Sequence, residues 1–143
     1  MKFFLSIAAL LCTINALGQC EDCTSFREAM KQPEMVKSII INGSISGNRL
    51  DSIPSSIASF SNLEILYLTD HPIKTIIPEM AQLKSLKELS FGGCKLTAVP
   101  DFIFGLKNLK ELILFDNAFT DEYKNILKDR VRKEMPKTTL LLD

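Results

Sequence analysis

Three segments of the chain begin 23 residues apart, at Leu63, Leu86 and Leu109, and each carries the spacing L-x-x-L-x-L. A unit of this length is too small to bury its own apolar face, so it gains stability only when copies stack into a solenoid with one continuous core. The first full copy reads Leu63, Leu66, Leu68, His71, Ile73, Ile76, Met80, Leu83, and the next reads Leu86, Leu89, Phe91, Cys94, Leu96, Val99, Ile103, Leu106. The third opens with Leu109, Leu112, Leu114, Asn117 and Phe119 and then departs from the pattern.

A less regular copy precedes these. Val36, Ile39 and Ile41 match the first three leucine positions, and Asn48, Leu50, Ile53, Ile57 and Phe60 match the rest if four residues are looped out between Ile41 and Asn48. The stretch from Asn42 to Gly47 holds two glycines and two serines, which suits a bulged turn. A second register, with Ile41, Gly43 and Ile45 on the strand, remains open at this point. Counting this copy gives four units, enough for a solenoid that stands alone.

The consecutive copies resemble the leucine-rich repeat family, whose pattern is L-x-x-L-x-L-x-x-N/C-x-L. The resemblance implies an α/β solenoid: a right-handed coil with a parallel β-sheet on its concave side, a short N-terminal helical cap and a C-terminal helix-strand cap. Val99-Pro100 and Ile53-Pro54 fit the variety in which proline follows the convex-side aliphatic. Ile77-Pro78 sits one residue late, so a slightly deformed convex turn is expected there.

The flanks carry cap signals of their own. Residues Ser25 to Lys31 suit a short helix with Ser25 or Thr24 as N-cap and Pro33 ending it, while Phe26, Met30 and Met35 are placed to cover the first coil. Tyr123, Ile126, Leu127 and Val131 recur at helical spacing after Thr120, which predicts an amphipathic helix stopped before Pro136 and then a strand over Thr138 to Leu142. The division expected is a signal peptide at 1–18, an N-terminal cap at 19–35, repeats at 36–119 and a C-terminal cap at 120–143.

The leader is expected from Lys2, the apolar run Phe3 to Leu17 and the small residues Ala16 and Gly18, a run too short to span a membrane comfortably. It points to an exported protein, periplasmic, secreted or on the cell surface. Lipid attachment at Cys20 is disfavoured because Gln19, before it, is not small. In an oxidising compartment Cys20 and Cys23 are candidates to close a small loop. A redox or zinc role for this C-x-x-C lacks both an α/β context and further ligands.

Function classes narrow from here. Of 143 residues, 46% are apolar and 24% charged, which suits one folded domain and excludes disorder. Basic and acidic residues balance at 17 each, and removing Lys2 with the leader leaves 16 against 17, so nothing draws the chain to nucleic acid. There is no phosphate loop, nucleophile elbow or H-E-x-x-H. His71, Cys94 and Asn117 spell a thiol-protease set, but they fall at one position of successive repeats. The resemblance implies that this position, with Asn48 before it, is an inward ladder bonding the backbone of adjoining turns. No enzyme activity, cofactor or metal is expected.

Between the leucines, strand alternation turns the x residues to the concave face. The middle row is Ile40, Tyr67, Ser90 and Ile113, and the next is Asn42, Thr69, Gly92 and Phe115. Ser38, Ile65, Glu88 and Glu111 flank one side, Gly43, Asp70, Gly93 and Asp116 the other, and Lys37, Glu64, Lys87 and Lys110 lie outside. Ile40, Ile65, Tyr67, Ile113 and Phe115 are the candidate contact residues, with a shallow gap expected at Ser90, Gly92 and Gly93 between the two apolar groups. The expectation is a monomer that binds a protein or peptide partner on this face. The alternative is a structural or adhesive envelope protein that self-associates.

Overall fold

In a computed structural model, which describes residues 21–143, six strands form one parallel sheet in sequence order. The strands are β1 (Asp22–Cys23), β2 (Ser38–Asn42), β3 (Ile65–Thr69), β4 (Glu88–Ser90), β5 (Glu111–Ile113) and β6 (Thr139–Leu141). The expected leader and Cys20 lie outside the described residues. The register carries the repeat directly into the core: Ile39 pairs with Leu66, Leu66 with Leu89, Leu89 with Leu112 and Leu112 with Leu140. The first four of these are fully buried, since each coil is covered by the next.

The first repeat resolves into the first of its two registers. Ile39 and Ile41 point inward, while Ile45 is 59% exposed in the turn beyond the strand. Ser38 pairs with Ile65, 27 positions on, yet the left-handed turn residues Gly47, Asp70, Gly93 and Asp116 follow one another at 23. The four extra residues therefore lie between the end of β2 and Gly47. Gly43, aligned above with Asp70, does not take the left-handed role; Gly47 does (φ 86°). Aspartate tolerates this conformation at 70 and 116, with φ 59° and 53°, better than most side chains.

Opposite the sheet, three 3-10 turns run over Ser55–Ser59, Pro78–Gln82 and Asp101–Gly105, again spaced by 23. The deformation expected at Pro78 does not occur. All three turns have five residues and end with the same bond, from Phe60, Leu83 or Leu106 N–H back to Ile57, Met80 or Ile103 C=O. Pro78 simply enters at the first helical position, where its missing N–H has no partner to lose.

The polar spine has two ladders. The one not anticipated is Asn62, Ser85 and Asn108, also 23 apart, whose side chains donate to the carbonyls of Glu34, Ser61 and Lys84 at 2.7, 3.0 and 2.8 Å. Each bond ties the turn before a strand to the coil before it.

Both ends are dressed. Helix α1 (Phe26–Ala29) is shorter than expected; Ser25 caps it, accepting from Glu28 N–H at 3.3 Å, and Pro33 opens a separate 3-10 turn rather than ending the helix. Phe26 packs on Phe60 with ring centroids 6.3 Å apart, but Met30 and Met35 stay exposed and do not cover the coil. Helix α2 (Asp121–Glu134) starts at Thr120, which accepts from Tyr123 N–H at 3.2 Å, and buries Leu127 and Val131. Tyr123 Oη accepts from Val99 N–H at 2.8 Å, and Arg130 lies 3.8 Å over the Phe104 ring, so α2 is fastened to the last full repeat.

Candidate binding face

The concave face is built from strand positions that the core does not use. Its middle row runs Ile40, Tyr67, Ser90, Ile113 and, because β6 pairs in register with β5, on to Leu141. Leu141 is 42% exposed and extends the apolar row by one strand beyond the candidates named from the repeats. The signal was present: the strand expected at Thr138 to Leu142 carries this position at the same offset from its neighbours.

Two outward aromatics are held in place. Tyr67 is half-buried and its hydroxyl donates to the Glu88 carboxylate on the neighbouring strand. Burial, that bond and the negative charge of Glu88 and then Glu111 push the phenol pKa up, so it stays protonated. Phe115 is 42% exposed and its ring lies across Gly92, where a β-carbon would stand 2.7 Å from Cζ. Glycine at 92 thus lets a ring from the next coil approach the backbone closely, and a larger residue there would displace that ring.

That ring corrects the expected surface. Ser90 is only 2% exposed and Gly92 is buried as well, with the Phe115 ring over Gly92, so the gap between the two apolar groups is not open at these two positions. Ser38, assigned to the exposed flank, is 3% exposed, and its hydroxyl has no hydrogen-bond partner among the described residues. Ile40, Ile65, Tyr67 and Ile113 are partly exposed, and with Phe115 and Leu141 they form an apolar strip. Glu88 and Glu111, register partners on adjacent strands, edge it. Outside them Lys87 meets Glu64 at 2.5 Å and Lys37 meets Glu21 at 3.6 Å.

Behind the sheet's C-terminal edge lies the ladder. Asn117 donates to Phe91 C=O at 2.8 Å and accepts from Leu96 N–H at 2.9 Å. His71 makes the same pair of contacts two repeats earlier, with Nε2 3.1 Å from Ile41 C=O and Nδ1 accepting from Leu50 N–H at 3.2 Å. Those partners assign the neutral ring with its proton on Nε2. Cys94 donates its thiol to Leu68 C=O at 3.3 Å. Asn48 lies partly buried at the matching turn of the first repeat. Burial lowers the His71 pKa and raises that of Cys94, the reverse of what a thiolate–imidazolium pair needs.

Cys23 is disulfide-bonded and Cys94 is free; Cys20, the expected partner of Cys23, lies outside the described residues. Among the described residues no three His, Cys, Asp or Glu side chains are grouped to hold a metal, and no helix is long and apolar enough to cross a membrane.

Neither protein-family profiles nor curated proteins match the chain. Solved structures do. A leucine-rich repeat protein of Leptospira interrogans is 30% identical over 73% of this chain, with a TM-score of 0.55. An internalin of Listeria monocytogenes is 20% identical over 87% of it (TM-score 0.62), and internalin C2 of the same organism is 19% identical over 87% (TM-score 0.52). At those identities the two internalins speak to the fold alone. The chain spans 24% of the Leptospira protein, 33% of the first internalin and 67% of internalin C2.

Proposed function

The chain is a leucine-rich repeat protein, and from that premise we propose that it is an exported, noncatalytic module that binds a protein or peptide partner on the concave face of its sheet. The observation that carries this is the apolar strip of Ile40, Ile65, Tyr67, Ile113, Phe115 and Leu141, set on strands whose other face is a packed core. Clustered exposed apolar side chains edged by charge mark contact surfaces more than scattered ones do. Tyr67, fixed by Glu88, and Phe115, seated on Gly92, are ordered before any partner arrives, so association loses less side-chain entropy than flexible anchors would.

Export rests on the leader expected at residues 1–18 and on the disulfide at Cys23, which belongs to an oxidising compartment. The noncatalytic part rests on the ladder: both ring nitrogens of His71 are engaged with backbone, and the thiol of Cys94 is buried against Leu68 C=O. With balanced charge, a protein or peptide is the partner class, not nucleic acid.

Capture from the envelope fraction of the native cell tests this. The parent chain is expected to retain a specific partner that the Tyr67→Ala/Phe115→Ala variant loses, while Glu79→Ala on the convex side retains it. A partner held equally by all three would place the contact elsewhere.

A further inference from the structure

The two ends of the core differ in how they finish. Leu140 and Leu142 continue the inward rows of Leu112 and Leu114, but they are only partly buried, and among the described residues no further strand is stacked on them. With Val131 and Met135 of α2, and with Lys128 and Arg132 at its rim, they line a groove of about 500 Å³. The strand beside it is an open edge. Thr139 N–H donates to Lys110 C=O and Leu141 C=O accepts from Leu114 N–H, both at 2.8 Å, so those residues face β5. By the alternation of a parallel ladder, the N–H and C=O of Leu140 turn away from β5, with no partner among the described residues.

We propose that this edge pairs antiparallel with β6 of a second copy, about a two-fold axis at Leu140. A residue that faces itself across such an axis exchanges two hydrogen bonds, and Leu140 presents the N–H and the C=O that this takes. The same register sets Leu142 N–H against the carbonyl of Thr138 in the other copy, which turns to the same side as that of Leu140. One residue further out, Asp143 comes near Lys137, which sits in the turn leading into β6, closed by the bond from Thr138 N–H to Met135 C=O, and whose long side chain supplies the reach. That charge match occurs twice by symmetry and is specific to this register.

The charges at the site permit it. Lys137 has no ion pair among the described residues; the Asp143 carboxylate lies 3.6 Å from Lys124 Nζ and also accepts from the Asp116 backbone, and with about four acceptor positions it can take a second cation. Arg132 at the rim is neutralised by Asp129 at 3.4 Å, so Lys128 is the remaining like charge there, on a long side chain that can stay in water. Pairing covers the last apolar layer, removes the free edge and closes after two copies, whereas end-to-end stacking would run on into a filament. It replaces the expected monomer with a dimer. It also leaves both concave faces open, so it does not depend on the partner assigned to that face.

Sedimentation and light scattering over a range of protein concentration test it. The mass is expected to rise from one copy to two and stop there. Lys137→Glu should weaken the pair by about tenfold, since two exposed attractions become repulsions. Adding Asp143→Lys to that variant should restore it, with thermal unfolding of the separate chains unchanged by Lys137→Glu. A single-copy mass up to about 1 mM would overturn the proposal. So would a pair indifferent to the charge reversals, or assembly that continues beyond two.

Discussion

Along the sheet the inward row Ile39, Leu66, Leu89, Leu112 alternates only between two aliphatic residues, while the outward row one position later, Ile40, Tyr67, Ser90, Ile113, Leu141, runs from serine to tyrosine. The two rows share one backbone and one period. What separates them is what each side chain must satisfy: inward positions fill a close-packed space of fixed size between coils, and outward ones answer only to water or to a partner. Variation on one face of a regular frame is therefore where function can be written, and the inward ladder of His71, Cys94 and Asn117 belongs with the uniform face despite its reactive residue types.

Substitutions separate the two faces in order of effect. Leu89→Ala, in a fully buried position at the middle of the stack, is expected to cost about 3 kcal/mol in chemical denaturation, from lost transfer energy and the cavity left behind. A change under about 1 kcal/mol would mean that the coils collapse freely and the core does not set the frame. Asn117→Ala leaves Phe91 C=O and Leu96 N–H without their bonds and should cost about 2 kcal/mol, measured in the same way.

The His71 ladder contact is predicted to show as a smaller, pH-dependent effect. Burial holds its folded-state pKa below the ordinary value of 6.5, so below that pH the unfolded chain binds the proton more readily. Stability from this group is complete above about 6.5 and is lost as pH falls toward the lowered pKa. His71→Asn, which keeps a donor and an acceptor at the site, should flatten that part of the profile in thermal unfolding against pH. An unchanged profile in the variant would assign the dependence to other groups.

The sequence spacing made the core legible because inward packing leaves a periodic record: the buried rows of the repeats and the helix and strand of the C-terminal end follow from it, whereas spacing allows two registers for β2 and two N-caps for α1, and only the structure selects Ile39 with Ile41 and Ser25. The outward face was legible in its membership and not in its relief. Gly92 is buried because the Phe115 ring lies over it, and that is a matter of one side chain's direction across a coil boundary, which spacing does not encode. Pro78 misled for a related reason. A proline shifted by one residue looks like a disruption, yet the first position of a 3-10 turn accepts it without losing a bond. Gly43 and Gly47 are equal candidates by composition, and only the recurrence of a left-handed residue every 23 positions selects Gly47.

The central claim, that the outward residues serve binding and not stability, is tested most directly on Tyr67. With a partner isolated by capture, its affinity should be titrated against parent and Tyr67→Ala chains whose unfolding is measured in parallel. The account predicts unfolding within about 1 kcal/mol of the parent and affinity weaker by about tenfold or more. Unchanged affinity with the chain still folded, or a loss of stability as large as that of Leu89→Ala, would contradict it.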